Sequence, residues 1–195
     1  MNTPKKTGGV SHPDACYKAK QDAFRFLSYR ARSQAEVRRR LQKSYSFAVI
    51  EQVLGALEAQ GYLDDAAFAR EWRRHREERR PRGQGVLKQE LLRLGVEPGV
   101  IQEALAGFDA PGNAYRAALV LAQRLSGTDY LQFRKRVWSH LQRRGFDHSI
   151  ISDVVSQLWR RLADPEHRVV DAHPQEQQRE NVESEGVDGP AYEEG

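Results

Sequence analysis

Two adjacent aspartates close the segment Gly61-Tyr62-Leu63-Asp64-Asp65, and an arginine-heavy run from Ala66 to Gly83 follows at once. Paired carboxylates can serve as a general acid and base, hold a divalent cation, or cap the start of a helix. Acid–base work needs a third participant, and no histidine or nucleophile stands at a revealing spacing from Asp64 or Asp65. The six histidines, His12, His75, His140, His148, His167 and His173, show no His-Glu-x-x-His spacing, and Cys16 is the chain's single cysteine. The glycines Gly83 and Gly85 lack the Lys-Ser or Lys-Thr and the preceding strand that make a phosphate cradle. The expectation is therefore a protein with no catalytic residue, no metal and no cofactor.

Cationic surface is the chemistry that remains. Arg73, Arg76 and Arg80 recur at helical spacing, and Arg82 extends that stripe into the loop beyond. Arg73 with Glu77 and Arg74 with Glu78 stand at i, i+4, where pairing would blunt part of the charge. A second group is Arg30, Arg32, Arg38, Arg39, Arg40 and Lys43, and a third is Arg134, Lys135, Arg136, Arg143 and Arg144. The formal net charge of +4 hides a segregation. Residues 164–195 carry ten acidic side chains against two arginines, a net −8, whereas residues 16–162 carry 27 Lys and Arg against 16 Asp and Glu, a net +11. A body so basic calls for a polyanionic or acidic partner.

The elements that must position these cations are legible from an internal repeat. Ile50, Val53, Leu54 and Leu57 recur as Ile101, Ala104, Leu105 and Phe108, and again as Ile151, Val154, Val155 and Leu158. Each set has the i, i+3, i+4, i+7 spacing of an amphipathic helix. Ser46, Glu97 and Asp147 stand where N-caps are needed, and Pro98 suits a first helical position. Tyr45, Val96 and Phe146 precede those caps and are placed to pack on Ile50, Ile101 and Ile151 as hydrophobic staples. Gly95 and Gly145 suit a left-handed residue closing the preceding helix, a place taken by Ser44 in the first copy.

A second helix is expected upstream each time, over Ser33 to about Lys43, about Gly85 to Leu94, and Asp129 to about Arg144, with Ser33 and Glu36 forming a capping box. A further helix opens each unit. The reading is an all-α, elongated tandem array of three three-helix repeats, at residues 16–63, 64–109 and 110–162. An N-terminal segment, 1–15, and the acidic tail, 163–195, lack helical periodicity and are expected to be disordered. On this plan Gly61 ends one helix, Asp64 caps the next, and Leu63 staples to Phe68, so the opening pentapeptide is a junction between repeats, with no special task for Asp65.

No stretch approaches the roughly 18 apolar residues of a membrane span. One cysteine excludes a disulfide framework, and a reducing, cytoplasmic location is expected.

The segments Ser28–Leu41, Val49–Trp72, Gln89–Val96 and Leu141–Ile151 resemble the RecX family of bacterial RecA regulators. Gly61-Tyr62-Leu63-Asp64-Asp65, followed after the two residues Ala66 and Ala67 by the Phe68-Ala69 pair, is a fairly specific signature of that family. The resemblance covers roughly Ala19 to Trp159, and the acidic tail lies outside it. It implies tandem three-helix units and a monomeric, non-enzymatic protein that binds RecA and lies along the groove of the RecA–DNA filament, limiting its growth, ATP hydrolysis, strand exchange and co-protease activity. Weak binding to single- or double-stranded DNA, and no membrane partner, go with that reading. The residues expected to contact RecA or DNA are Arg30, Arg32, Arg38, Arg39, Arg40, Arg73, Arg76, Arg80, Arg82, Arg143 and Arg144. The competing expectation is a stand-alone nucleic-acid binder or transcriptional regulator, because the short helix pairs ending at Gly95 and Gly145 have the outline of groove-entering motifs.

Overall fold

The computed structural model describes residues 12–163. Among these, nine helices are joined by turns: α1 (His12–Leu27), α2 (Gln34–Leu41), α3 (Phe47–Ala59), α4 (Asp65–Arg79), α5 (Gln84–Arg93), α6 (Pro98–Ala104), α7 (Ala110–Arg124), α8 (Tyr130–Gln142) and α9 (His148–Ala163). Helix α1 begins at His12, four residues before the expected start of the first unit. The rest of the N-terminal segment and the acidic tail lie outside the described residues.

Three cores organise the helices in threes. Ile50, Val53, Leu54 and Leu57 are buried with Val37, Leu41 and the small Ala19 and Ala23 of α1. Ile101, Ala104 and Leu105 are buried with Phe68, Leu87 and Leu91. Ile151, Val154, Val155 and Leu158 are buried with Phe133, Val137, Leu141 and an alanine stripe, Ala114, Ala118 and Ala122. Full burial of one such aliphatic side chain stabilises by about 1.5–3 kcal/mol. The alanines matter differently, because they let the first helix of a unit approach the third closely.

Local chemistry sets the helix starts. Ser33 forms the expected capping box with Glu36, and Asp64, Asp109 and Asp129 accept from the backbone N–H groups of Ala67, Gly112 and Gln132. Ser46 and Glu97 occupy N-cap positions without a side-chain cap bond. Tyr45, Val96 and Phe146 each lie in or against the core of the isoleucine they were expected to reach. The Leu63 staple differs: Leu63 is buried in the first core, whereas Phe68 belongs to the second. Leu63 therefore faces backwards into the unit it ends, while Asp64 caps the helix that opens the next.

One helix is shorter than its periodicity predicts. The stripe Ile101 to Phe108 reads as two turns, yet α6 ends at Ala104, Leu105 is its C-cap, and Gly107 turns left-handed at φ 65°. The reason lies on α4. Arg73 Nη1 donates to the carbonyls of Ala104 (3.1 Å) and Ala106 (2.7 Å), Nη2 donates to that of Gly107 (3.2 Å), and the guanidinium sits 5.7 Å from the Phe108 ring centroid. A side chain takes over the carbonyls that a further helical turn would have satisfied.

Successive units meet through their second helices. The Ser33 hydroxyl donates to the Leu94 carbonyl at 2.5 Å, and the Gly83 N–H donates to the Arg144 carbonyl at 2.9 Å. Thus the C-terminal turn of α5 rests on the N-terminus of α2, and that of α8 on the N-terminus of α5. Both turns carry a left-handed glycine, Gly95 at φ 83° and Gly145 at φ 75°. A Cβ at Gly95 would strike Ala35, and one at Gly145 would strike Val86, so these two glycines are required by close approach as well as by backbone conformation. Carbonyl ends facing N–H ends also align the dipoles of α8, α5 and α2 favourably.

Candidate functional site

Asp64 and Asp65 are divided between two helices. Asp64 Oδ1 caps its own helix through the Ala67 N–H at 2.8 Å, while Asp65 Oδ1 reaches back to accept from the Gln34 N–H, also at 2.8 Å, at the start of α2. Burial raises the Asp65 carboxyl above its ordinary value, opposed by the Gln34 hydrogen bond and reinforced by Glu58, Asp64 and Glu36. Asp65 thus has the structural task that the sequence reading withheld from it, joining the first two units. Tyr62 packs edge-on against Phe24 with centroids 4.8 Å apart, and Gly61 closes α3 at φ 73°. No group of three or more His, Cys, Asp or Glu able to hold a metal ion occurs among the described residues.

The expected cations fall into two populations. Arg30 and Arg32 both reach Glu36, at 2.6 and 3.4 Å, Arg32 also lies 4.1 Å from the Phe26 ring centroid, and Arg38 pairs with Glu51. On α4, Arg73 adds Glu77 at 3.1 Å to its three carbonyls. Arg76 Nε donates to Glu90 Oε2 at 2.9 Å and stacks 4.9 Å from the Trp72 ring centroid. Arg82 approaches Glu90 Oε1 at 3.7 Å. The Arg73–Arg76–Arg80 stripe is therefore split, because two of its members are held by the protein and Arg80 alone is exposed, as the C-cap of α4.

The other population has no acidic partner within 4.0 Å among the described residues: Arg39, Arg40 and Lys43 on α2 and its following turn, and Lys135, Arg136 and Arg143 on α8 and its C-cap, all exposed. Each set lines an open cavity. The first, of about 480 Å³, lies between α1 and α2, where Arg25, Phe26, Tyr29 and the ion-paired Glu36 complete its wall. The second, of about 470 Å³, lies between α7 and α8, with Leu121, Gln132, Ser139 and His140.

His140 and Arg144 are tied to each other at the edge of this second cavity. The imidazole Nε2 lies 2.9 Å from the Ala117 carbonyl, which only accepts, so Nε2 carries the proton; Nδ1 then accepts from Arg144 Nη1 at 3.3 Å. Burial is the main cause that pushes the His140 imidazole below its ordinary value, and Arg144 and Arg143 push the same way. Arg144 is lowered as well, by burial first and then by Arg82 and Arg143. The neutral imidazole is what allows Arg144 to donate to it.

Sequence reasoning alone did not assign Arg25, Phe26, Tyr29, Gln132, Ser139 or His140 to a site. A signal existed. Leu41, Leu91 and Leu141 are the same buried position of each second helix, and counting from them places 36, 39, 40 and 43 opposite 136, 139, 140 and 143. Those are the positions that line the two cavities.

Fold and surface together define an all-α tandem-repeat protein whose exposed chemistry is cationic and concentrated in repeated grooves. The models for the first and second three-helix domains of RecX match residues 19–57 and 64–105. The regulatory protein RecX of Prosthecochloris aestuarii is 35% identical over 142 residues, covering 72% of this chain and 93% of that relative. The regulatory protein RecX of Mycobacterium sp. (strain JLS) is 35% identical over 155 residues, covering 75% and 84%. The crystal structure of RecX from Lactobacillus salivarius has the same fold, with a TM-score of 0.67 at 23% identity over 75% of this chain and 97% of that one. The chain belongs to the RecX family of regulatory proteins. No described helix is long and apolar enough to cross a membrane.

Proposed function

We propose that this protein is a non-catalytic regulator of RecA that binds along the RecA–DNA filament and restrains its growth and ATP hydrolysis, and with them strand exchange and co-protease activity. Family membership supports the choice of partner. The observation that carries the mode of action is the recurrence of cationic grooves on a tandem array, since a periodic ligand is best matched by a periodic surface. A helix-turn-helix regulator of transcription fits less well. The third helices, which would have to enter a DNA groove, bury Ile101 and Ala104 or Ile151, Val154 and Val155 in their own cores.

The test is RecA ATP hydrolysis on single-stranded DNA with the full-length protein titrated in. Restraint at well below one protein per RecA is the expected result. Restraint only at concentrations that coat the DNA would replace this reading with simple competition for nucleic acid.

A further inference from the structure

We infer that the grooves of the first and third units are two copies of one subsite for the phosphate backbone of a single-stranded nucleic acid, and that the corresponding place in the middle unit is closed by its own carboxylate, Glu90. The inference rests on the filament reading and deepens it by assigning these two grooves to the nucleic-acid strand of the filament.

The internal repeat carries the first half of the argument. The α2 side of one groove is built from positions 36, 39, 40 and 43, and the α8 side of the other from 136, 139, 140 and 143, an offset of 100 at every position. What repeats is the register of the lining positions; within it only Lys43 and Arg143 are cations in both grooves. Residue types at these positions differ, yet each groove presents three exposed cations with no acidic partner within 4.0 Å among the described residues, Arg39, Arg40 and Lys43 in one and Lys135, Arg136 and Arg143 in the other, while Glu36, the carboxylate that lines the first groove, is taken up by Arg30 and Arg32.

The middle unit supplies the contrast. Its equivalent of positions 40 and 140 is Glu90, whose carboxylate accepts from Trp72 Nε1 at 2.9 Å and Arg76 Nε at 2.9 Å, with Arg82 Nε at 3.7 Å. The same place on the repeat thus holds an oxyanion among cationic and N–H donors, supplied in cis. In the outer units that position is Arg40 or His140, and the carboxylate that lines the first groove, Glu36, stands one turn earlier on α2, where Arg30 and Arg32 hold it.

Chemistry selects a nucleic acid over an acidic protein surface. Tyr29 is 79% exposed beside Arg25, Arg39 and Arg40, and an exposed aromatic among arginines is a platform on which an unpaired base stacks while the cations hold its phosphates. The α8 groove adds Gln132 and Ser139, neutral donors suited to phosphate oxygens. Stacking requires bases that are not already paired, which favours a single strand.

The experiment measures fluorescence anisotropy of a labelled oligothymidylate with full-length protein across a salt series, without RecA. Variants are Arg39→Ala/Arg40→Ala/Lys43→Ala, Lys135→Ala/Arg136→Ala/Arg143→Ala, their combination, and a control removing the exposed Arg70, Lys88 and Arg124. Each groove triple is expected to reduce the slope of log affinity against log salt by about 2, from about 0.7 per lost phosphate contact, and the combination by about 4, with the control unchanged. All are surface changes, and circular dichroism melts verify the fold. Groove triples that behave like the control overturn the inference. If those same triples nonetheless lose their grip on RecA filaments, the grooves serve the protein partner: the filament reading survives and the nucleic-acid assignment fails.

Discussion

The arginines that face Glu90 and the end of α6 in the middle unit and those that line the grooves of the outer units are used in opposite ways. On α4 and α5, Arg73 holds three carbonyls at the end of α6, and Arg76 and Arg82 converge on Glu90. On α2 and α8, Arg39, Arg40, Lys135 and Arg136 stand in solvent. The densest arginine run of the sequence is therefore the most structural, and the sparser ones are the most available. What separates them is whether a carboxylate or carbonyl at the right place in the fold takes up the donors. At position 90 the acceptor is a glutamate that meets Trp72, Arg76 and Arg82.

The contrast breaks first in stability. Arg73→Ala abandons carbonyls of Ala104, Ala106 and Gly107 and is expected to cost about 2–3 kcal/mol, as loss of hydrogen bonds from a charged donor does. Arg39→Ala/Arg40→Ala is expected to stay within about 0.5 kcal/mol. Urea denaturation of the two variants side by side checks it, and equal melting behaviour would erase the distinction between the two populations.

The junction aspartates give a smaller effect with a pH signature. Asp64→Ala is expected to cost about 1 kcal/mol through loss of a cap. Asp65→Asn keeps an acceptor for the Gln34 N–H, so its effect is smaller and depends on pH. Because burial raises the folded-state Asp65 carboxyl above its ordinary 3.8, the carboxyl's stabilising share is full below that value and lost as pH rises through the raised folded value. Stability of Asp65→Asn relative to the unaltered protein should accordingly improve as pH rises from below 3.8 towards neutrality. Denaturation curves at a series of acidic pH values read this directly, and a difference that does not move with pH would leave Asp65 without its buried role.

The smallest effect concerns the acidic residues after α9. A segment of net −8 tethered to a basic body is expected to compete with polyanions, at an effective concentration on the order of millimolar. Truncation after Ala163 is expected to tighten oligonucleotide binding at low ionic strength and to converge with full-length protein above 0.1 M salt, where the Debye length is about 10 Å. Identical affinities at low salt would leave those residues with no gating role.

Much of the fold was legible because it is local. The isoleucine-led stripes, the Ser33–Glu36 box, Asp64 as a cap, and Gly95 and Gly145 as turn residues all depend on neighbours within about one or two helical turns. What stayed hidden depends on docking between elements. Asp65 meets Gln34 across 31 residues, Arg73 meets Gly107 across 34, and neither spacing has a period. The shortened α6 followed from the second of these, since its apolar stripe ran on to Phe108 without announcing that a guanidinium would end the helix. The site was legible only as charge. Sorting that charge required knowing that Trp72 and Arg76 turn toward Glu90, which side-chain spacing on α4 alone cannot reveal.

The most direct test of the central claim compares restraint of RecA ATP hydrolysis on single-stranded DNA by three full-length proteins at equal substoichiometric amounts: unaltered, Arg39→Glu/Arg40→Glu/Arg136→Glu/Arg143→Glu, and Arg73→Lys at a temperature where it remains folded. The account predicts that reversing charge in the outer grooves abolishes restraint, while Arg73→Lys retains it despite a lower melting temperature. Full restraint by the groove variant, or its loss in folded Arg73→Lys, would contradict it.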